Sequence, residues 1–413
     1  MVGNSLRYPR YLASAVRDAL ADTPVVCLLG PRQCGKTTLA RSLEPNRTYI
    51  TLDDSNFLHI ATTDPDGFVD RLPPQVILDE IQRAPALLVA IKRVVDRDRQ
   101  PGRFLLTGSA DLLLLPGVSE SLAGRMEILH LQPLTEAEKS RSGGDFLRML
   151  LSGELRESMI LGDSDHVPDV IRRMLAGGYP EPLSRPPGRA RQWHRQYVKS
   201  IIERDVQDIA NIRDGRELGR LLELLALRTG TLLNASGLSK DLGLHRGTVD
   251  HYLAILERLF LVRSLPGWHR NAGKRLIKSP KLHVVDSGLA GTLAGLTVDD
   301  WLARREDMGR LLESFVIQQL HAQATWTDPD LRFWHYRDKD QVEVDLVITR
   351  GEKVWGVEVK ASRTVGARDG KGLDRLAEQC GADYQGGCIL YDGRDVLPAG
   401  KHLAVPLRKL WEL

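Results

Sequence analysis

The 413-residue chain is poor in cysteine, with only four. Cys27, Cys34, Cys380 and Cys388 lack the paired spacing of a metal site, and a disulfide framework is not expected at this size. Net charge is equally scarce. Fifty-seven Lys and Arg against 54 Asp and Glu leave +3, so any nucleic-acid surface must be a local patch rather than a global bias. Long apolar runs are missing as well. The most apolar stretch, Phe104–Val118, is short and carries Asp111, which excludes a membrane-spanning helix there. Residues 1–22 set Arg7, Arg10, Arg17 and Asp18 among the apolar positions, so no signal-peptide core is expected. There is no low-complexity segment and no solenoid-type repeat. What is present suffices for packed cores: 42% of residues are hydrophobic and 27% charged. At about 100–200 residues per domain, two to four domains are expected. A cytoplasmic protein without a membrane partner is the resulting expectation.

Three blocks follow one another. From Tyr11 to about Glu138, short apolar runs (Val25–Leu29, Thr48–Leu52, Val76–Leu78, Arg103–Thr107) alternate with helical patterns, as in a parallel α/β sheet. From Phe146 to Leu265 the periodicity is helical, interrupted by the Gly- and Pro-rich string GGYPEPLSRPPG at 177–188. Leu221, Leu222, Leu224, Leu225 and Leu227 read as a buried helix face. From Leu311 onward a helix precedes alternating strands, Val342–Thr349 and Val354–Ala361.

The first run leads into Gly30-Pro31-Arg32-Gln33-Cys34-Gly35-Lys36-Thr37, followed by Thr38. This is GxxxxGK[ST] in a strand–loop–helix context, the pattern of a phosphate-binding loop. Its glycines let backbone N–H groups close around phosphate oxygens, and the helix beginning near Gly35 adds its positive end. Lys36 would reach the β- and γ-phosphates of ATP, and the Thr37 hydroxyl would ligate Mg²⁺. Val76-Ile77-Leu78 then ends in Asp79-Glu80: Asp79 suits the Mg²⁺ shell and Glu80 the polarisation of an attacking water. The run Arg103–Thr107 ends in Gly108-Ser109, where Ser109 would orient the water or sense the γ-phosphate, unless the pair is a simple turn. Arg125 suits either an arginine finger given to a neighbouring subunit or an ordinary helix-end arginine. Cys34 reads as an inert occupant of the loop.

Leu238–Leu253 reads as helix, turn, helix, with Ser236 or Ser239 capping the first helix and Gly243 making the turn. Leu242, Val249, Leu253 and Leu256 would close its core. His245, Arg246 and Thr248 would open the second helix, where base and phosphate contacts are made. No acid then occurs from Arg258 to Val285, a stretch holding Arg258, Arg263, Arg270, Lys274, Arg275, Lys278 and Lys281. It reads as a β-wing able to neutralise phosphates, with a solvated lid or protein-contact module as the alternative.

In the last block, Phe333–Arg337 and Val342–Thr349 are expected to form a hairpin across Asp338-Lys339-Asp340. Alternation puts Glu343 and Asp345 on one face, and Glu358 and Lys360 on one face of the next strand. With the strands in register, Asp345 lies beside Glu358 and Lys360. Two carboxylates so placed suit Mg²⁺ or Mn²⁺, although the same alternation suits the solvent face of a half-buried sheet. Trp193, Trp326 and Trp334 read as core or interdomain anchors.

The motif series GPRQCGKTTLARSL (30–43), VILDEIQ (76–82), LLTGSA (105–110), SLAGRMEILHLQPLTEAE (121–138), GGYPEP (177–182) and ERDVQDIA (203–210) resembles the prokaryotic AAA+-type ATPase family with a C-terminal domain of unknown function. LLESF (311–315), FWHYRDKDQVEVDLVI (333–348) and VWGVEVKAS (354–362) match that C-terminal half and also resemble PD-(D/E)xK, restriction-endonuclease-like folds. The resemblance implies a P-loop AAA+-type parallel-sheet domain at 1–140, a helical lid and winged-helix region at 141–290, and a restriction-endonuclease-like α/β domain at 291–413. It implies ATP and Mg²⁺ as cofactors, Mn²⁺ as an option at the C-terminal site, and a homo-oligomer in which Arg125 is the finger. Glu313 matches the helix glutamate, Asp345 the metal aspartate, and Glu358 and Lys360 the ExK pair, with Val344 where the proline stands. No second-sensor arginine is clear; Arg172 and Arg173 are nearest. The resulting expectation is an ATP-hydrolysing protein that grips nucleic acid, DNA in the first place, through the winged helix, and whose C-terminal fold binds it or cleaves it with metal. The alternative is a nucleotide-switched regulatory ATPase whose nuclease-like domain is a non-cleaving platform. A remodeller or transporter-associated ATPase acting on protein is the third reading.

Overall fold

The computed structural model describes residues 8–110, 122, 124–156, 167–210, 215–271, 279–303 and 305–413, with the side chains of 167–168, 204–210 and 306–307 left aside. The chain divides into two compact units, residues 1–134 with 258–260, and residues 135–257 with 261–413. The expected boundary near 290 therefore falls inside the second unit.

The first unit is built on five parallel strands: β1 (Val25–Leu29), β2 (Thr48–Thr51), β3 (Val76–Asp79), β4 (Phe104–Gly108) and β5 (Met126–His130), in the order β2-β3-β4-β1-β5. The four expected runs are all strands; β5 was not foreseen. Its alternation Met-Glu-Ile-Leu-His is less apolar, as befits an edge strand. Every residue of β1, β3 and β4 is buried, because helices cover both faces of a parallel sheet. Val25, Cys27 and Leu29 pack toward one helical layer, Val26 and Leu28 toward the other. The central position of β1 carries the loop that follows it to the carboxyl edge of the sheet, between β4 and β5.

The second unit holds two sheets. β6 (Thr231–Leu232), β7 (Val262–Leu265) and β8 (Lys281–Val284) form an antiparallel set ordered β6-β8-β7. β9 (Arg332–Arg337), β10 (Glu343–Arg350), β11 (Lys353–Lys360), β12 (Tyr384–Tyr391), β13 (Leu397–Ala399) and β14 (His402–Pro406) form a mixed sheet ordered β13-β14-β12-β11-β10-β9. β9, β10 and β11 are an antiparallel meander, and the helix Lys371–Cys380 returns the chain to β12, parallel to β11. The expected hairpin is present. Asp338 organises it by accepting the backbone N–H groups of Asp340 at 2.8 Å and Val342 at 2.9 Å.

The helix Gly309–Thr327 runs through the middle of this unit and buries nearly every side chain from Leu311 to Ala324. Its glutamines answer buried backbone groups of other elements. Gln319 accepts from Glu136 N–H at 2.8 Å, and Gln323 accepts from Leu147 N–H at 2.9 Å while donating to the Leu410 carbonyl at 3.0 Å. Buried amides paired in this way fix which element lies where. Asp286 is a second such point: fully buried, it accepts Gly178 N–H at 2.6 Å and caps the helix Ser287–Leu293 through Leu289 N–H at 2.8 Å. Gly177 has φ +69°, and a Cβ there would sit 2.4 Å from the Asp286 carboxylate, which accounts for the first glycine of GGYPEP.

Two smaller expectations are corrected. In the helix Arg216–Leu227 the buried stripe is Leu218, Leu221, Leu222 and Leu225; Leu227 is exposed. At about 100° per residue five leucines in seven positions cannot share one face. The helix Ala235–Leu242 is capped by Asn234, which accepts Gly237 N–H at 2.9 Å, and Ser239 instead bonds forward to the Leu244 carbonyl at 2.5 Å. Trp193 stacks on Tyr197 and Trp334 donates to Thr349 at 3.0 Å, both as packing anchors.

Candidate functional site

The loop after β1 is held in shape by its own glycines and by a distant arginine. Gly30 has φ +153°, and a Cβ on it would lie 2.1 Å from the Leu131 carbonyl oxygen, so only glycine fits. Gly35, at φ +104°, turns the chain into the helix Lys36–Leu43. Arg10 is buried and donates to the Cys34 carbonyl at 2.7 Å and the Gln132 carbonyl at 2.6 Å. Pro31 and Cys34 are buried, Arg32 is half-buried, and Gln33 and Thr38 are exposed. The Lys36 ammonium donates to the Gly30 and Pro31 carbonyls at 3.0 and 2.9 Å, folded onto the loop that a phosphate would share with it.

Asp79, at the tip of β3, gathers three hydroxyls. Thr37 donates to its two oxygens at 2.9 and 3.1 Å, Tyr49 to one at 2.7 Å, and Thr107 to the other. Burial and the bond to Asp79 push the Tyr49 phenol up to about 12, so it stays a donor at any ordinary pH. Thr37 and Asp79 are hard oxygen donors in contact with each other, a set that fits Mg²⁺. Glu80 follows in a left-handed backbone conformation, φ +59°, unusual for a residue with a side chain. Its carboxylate accepts from Ser109 at 2.9 Å and from the Gln82 amide, and Gln82 also donates to Ser109 at 2.9 Å. Glu80 and Ser109 are thus brought together, with Gln82 as an unforeseen third member. Arg10, Tyr49 and Thr107 were also missed. Nothing in the spacing of Arg10 points to the loop, whereas Thr107 sits near the carboxyl end of β4 and Tyr49 within β2, the two strands flanking β3. Arg125 pairs with Asp96 of the helix Ala86–Arg97.

In the second unit, the helix Ala235–Leu242, Gly243 at φ +68° and the helix Arg246–Arg258 make a helix, turn and helix. Val249, Leu253 and Leu256 are buried; Leu242 is half-buried. His245 and Arg246 are exposed and Thr248 half-buried, with Arg246 3.7 Å from Asp250. Arg270 donates to the Gln379 carbonyl at 2.8 Å and lies 3.9 Å from Asp383. Lys274, Arg275 and Lys278 lie outside the described residues. Arg173 binds Asp169 at 2.7 Å and Glu136 at 3.1 Å and rests over the Trp411 ring, while Arg172 is exposed.

The C-terminal residues do converge. β10 and β11 pair with Leu346 opposite Val357, which sets Asp345 against Glu358, and Asp345 accepts Val359 N–H at 2.9 Å. Lys360 lies 3.2 Å from Glu358. Lys281 of β8 enters among them, 2.8 Å from Glu313 and 3.7 Å from both Asp345 and Glu343; Glu343 also holds Arg337 at 3.1 Å. Burial, then repulsion from Asp345, raises Glu313 to about 8 and Glu358 well above the carboxylate range. Burial pulls the Lys281 ammonium down, but Glu313 and Asp345 outweigh it and leave it raised, hence charged. Lys281 was expected on an exposed basic strip. It is buried because the acids missing from its stretch of sequence come to it from other elements. Among the described residues, no group of three or more His, Cys, Asp or Glu is arranged to hold a metal ion. Of the two carboxylates expected at a Mg²⁺ or Mn²⁺ site, Asp345 thus lies 3.7 Å from the Lys281 ammonium and Glu358 lies 3.2 Å from Lys360.

Residues 22–139 match the family described as an AAA domain, residues 167–300 the domain of unknown function DUF8612, and residues 308–410 the domain of unknown function DUF4143. The uncharacterized proteins Rv2008c of Mycobacterium tuberculosis and Mb2031c of Mycobacterium bovis are each 32% identical over 358 residues, covering 86% of this chain and 74% of theirs. The chain belongs to their family. Its first unit is an AAA-type P-loop ATPase domain, which binds and hydrolyses ATP. Among solved structures, the Walker-type ATPase PABY2304 of Pyrococcus abyssi is 16% identical, with a TM-score of 0.43 over 68% of this chain and 94% of that one. The RuvB Holliday junction branch migration motor of Thermotoga maritima is 20% identical, with a TM-score of 0.28 over 61% and 86%. Among the described residues, no helix is long and apolar enough to cross a membrane.

Proposed function

We propose that this family member is a nucleotide-switched, nucleic-acid-binding ATPase, with DNA as its partner and a C-terminal domain that binds without cutting. The observation that carries the ATPase part is the contact of Thr37 with Asp79 beside the folded-back Lys36. In this reading Lys36 turns from the loop carbonyls to the phosphates, and Thr37 and Asp79 hold Mg²⁺. The metal, when bound, neutralises charge on the phosphate oxygens. Glu80, oriented by Ser109 and Gln82, polarises the attacking water. Arg125 acts on the site of a neighbouring subunit of a homo-oligomer.

Exposed His245 and Arg246, with Thr248 behind them, support nucleic-acid contact at the start of the second helix, and Arg270, Lys274, Arg275 and Lys278 would add phosphate contacts. The topology of the last sheet, a helix, an antiparallel three-strand meander, a helix and a parallel strand, supports the restriction-endonuclease-like reading. The lysine among its carboxylates favours the non-cleaving platform over the nuclease.

Equilibrium binding of a fluorescent ATP analogue and of duplex DNA tests this. Lys36→Ala should abolish nucleotide binding, and unchanged affinity would sink the site. DNA affinity should fall steeply between about 50 and about 200 mM salt and weaken further in Arg246→Ala. A flat salt response would turn the reading toward a protein partner.

A further inference from the structure

Lys281 and the carboxylates around it belong to different parts of the sequence. Lys281 opens β8, paired with β7 and β6, whereas Glu313 lies on the central helix and Glu343 and Asp345 on β10. Lys281 is 5% exposed and Glu313 7%, so the pair has left water almost completely. A buried charge is tolerated only with partners at short range. Lys281 has one at 2.8 Å and two at 3.7 Å, and no other arrangement of this side chain is needed to neutralise it. Conversely, Glu313, Glu343, Asp345 and Glu358 bring four carboxyl groups close together, with Lys360 paired to Glu358 and Arg337 to Glu343. Lys281 occupies the space between Glu313 and Asp345, one of the two carboxylates expected to hold metal.

We propose that Lys281 is the resident cation of the C-terminal carboxylate cluster, a tethered counter-ion that locks β8 to the C-terminal sheet and closes the cluster to divalent metal. A metal ion and the lysine are competitors: two cations at this spacing repel, and the metal enters only where the ammonium has left. The cluster is in this view a latch between two parts of one unit, not an open metal centre. The proposal does not depend on nucleic-acid binding, and a chain with no affinity for DNA would leave it standing.

The test uses the full chain without nucleotide and reads thermal unfolding with and without MnCl₂. Wild type should show no Mn²⁺ stabilisation that Asp345→Asn removes. Lys281→Met keeps the length of the side chain without its charge. It should melt lower by about 10 °C, because the carboxylates lose their buried partner. Mn²⁺ should then recover about half of that loss, and the double variant Lys281→Met, Asp345→Asn should lose the recovery. Lys281→Arg, which keeps the charge, should fold and remain indifferent to Mn²⁺. An Asp345-dependent Mn²⁺ stabilisation of wild type or of Lys281→Arg would overturn the proposal, as would a Lys281→Met protein that neither loses stability nor responds to Mn²⁺. Were Lys281→Met not to fold, the wild-type and arginine arms would still decide it.

Discussion

The Arg10 guanidinium donates a 2.7 Å hydrogen bond to the carbonyl of Cys34, inside the phosphate-binding loop and 24 positions away in sequence. A second bond, to the Gln132 carbonyl at 2.6 Å, fastens the same arginine to the chain that follows β5. The loop is therefore braced from beneath by a residue outside its motif. Arg10→Ala should lower nucleotide affinity about tenfold, about 1.4 kcal/mol, by loosening the loop. Calorimetric titration with ATP and Mg²⁺ would check this. An unchanged affinity would show that the loop holds its shape without the brace.

Glu80 presents a different dependence. Its carboxylate is aimed by Ser109 and Gln82, and Gln82 is not among the residues expected to touch the phosphates. Gln82→Ala should lower kcat about tenfold while leaving ATP affinity near that of wild type. Steady-state hydrolysis beside equilibrium binding separates the two quantities. A loss confined to affinity would place Gln82 in nucleotide binding instead.

His283, on β8 beside the lysine latch, gives a pH prediction. Burial first, and then the Lys281 charge, press its imidazole down to about 3, and only its Nδ1 has a partner, Ser314 at 2.9 Å. In the unfolded chain it titrates near about 6.5. The unfolded state thus binds the proton first as pH falls. The stability due to neutral His283 is complete above about pH 6.5 and is lost progressively toward pH 3, by at most about 1.4 kcal/mol per pH unit. Urea unfolding across this range should show a shallower pH slope for His283→Gln than for wild type. Equal slopes would mean that other groups carry the dependence.

How much of this was legible in the sequence depended on chain distance. The strand, glycine turn, lysine and threonine of the nucleotide loop lie within one continuous segment, and their conformations follow from the steric needs of Gly30 and Gly35. β3 with Asp79 and Glu80 was legible for a related reason: a fully buried parallel strand is a short apolar run, and its polar end must lie at the sheet edge. The pairing of Asp345 with Glu358 was also within reach, since a tight hairpin meander leaves little freedom of register. Leu227 and the Asn234 cap were misread because a local pattern was taken for a face or a cap that only the actual helix start decides.

The amino-acid sequence by itself determined the α/β sheet of the first unit, the phosphate loop, the carboxylate-tipped strand beside it and the meander of the last domain. Each of these is set by period, turn chemistry and burial over a few contiguous residues. Only the tertiary structure decided what Arg10, Gln82 and Lys281 do. Lys281 reads as one more solvated base in an acid-free stretch until Glu313, from 32 positions further on, is placed 2.8 Å from it. Charge neutralisation in a buried site acts through space. It is decided by which elements pack together, and the packing of β8 against the central helix and β10 set a buried ammonium beside Glu313 and Asp345.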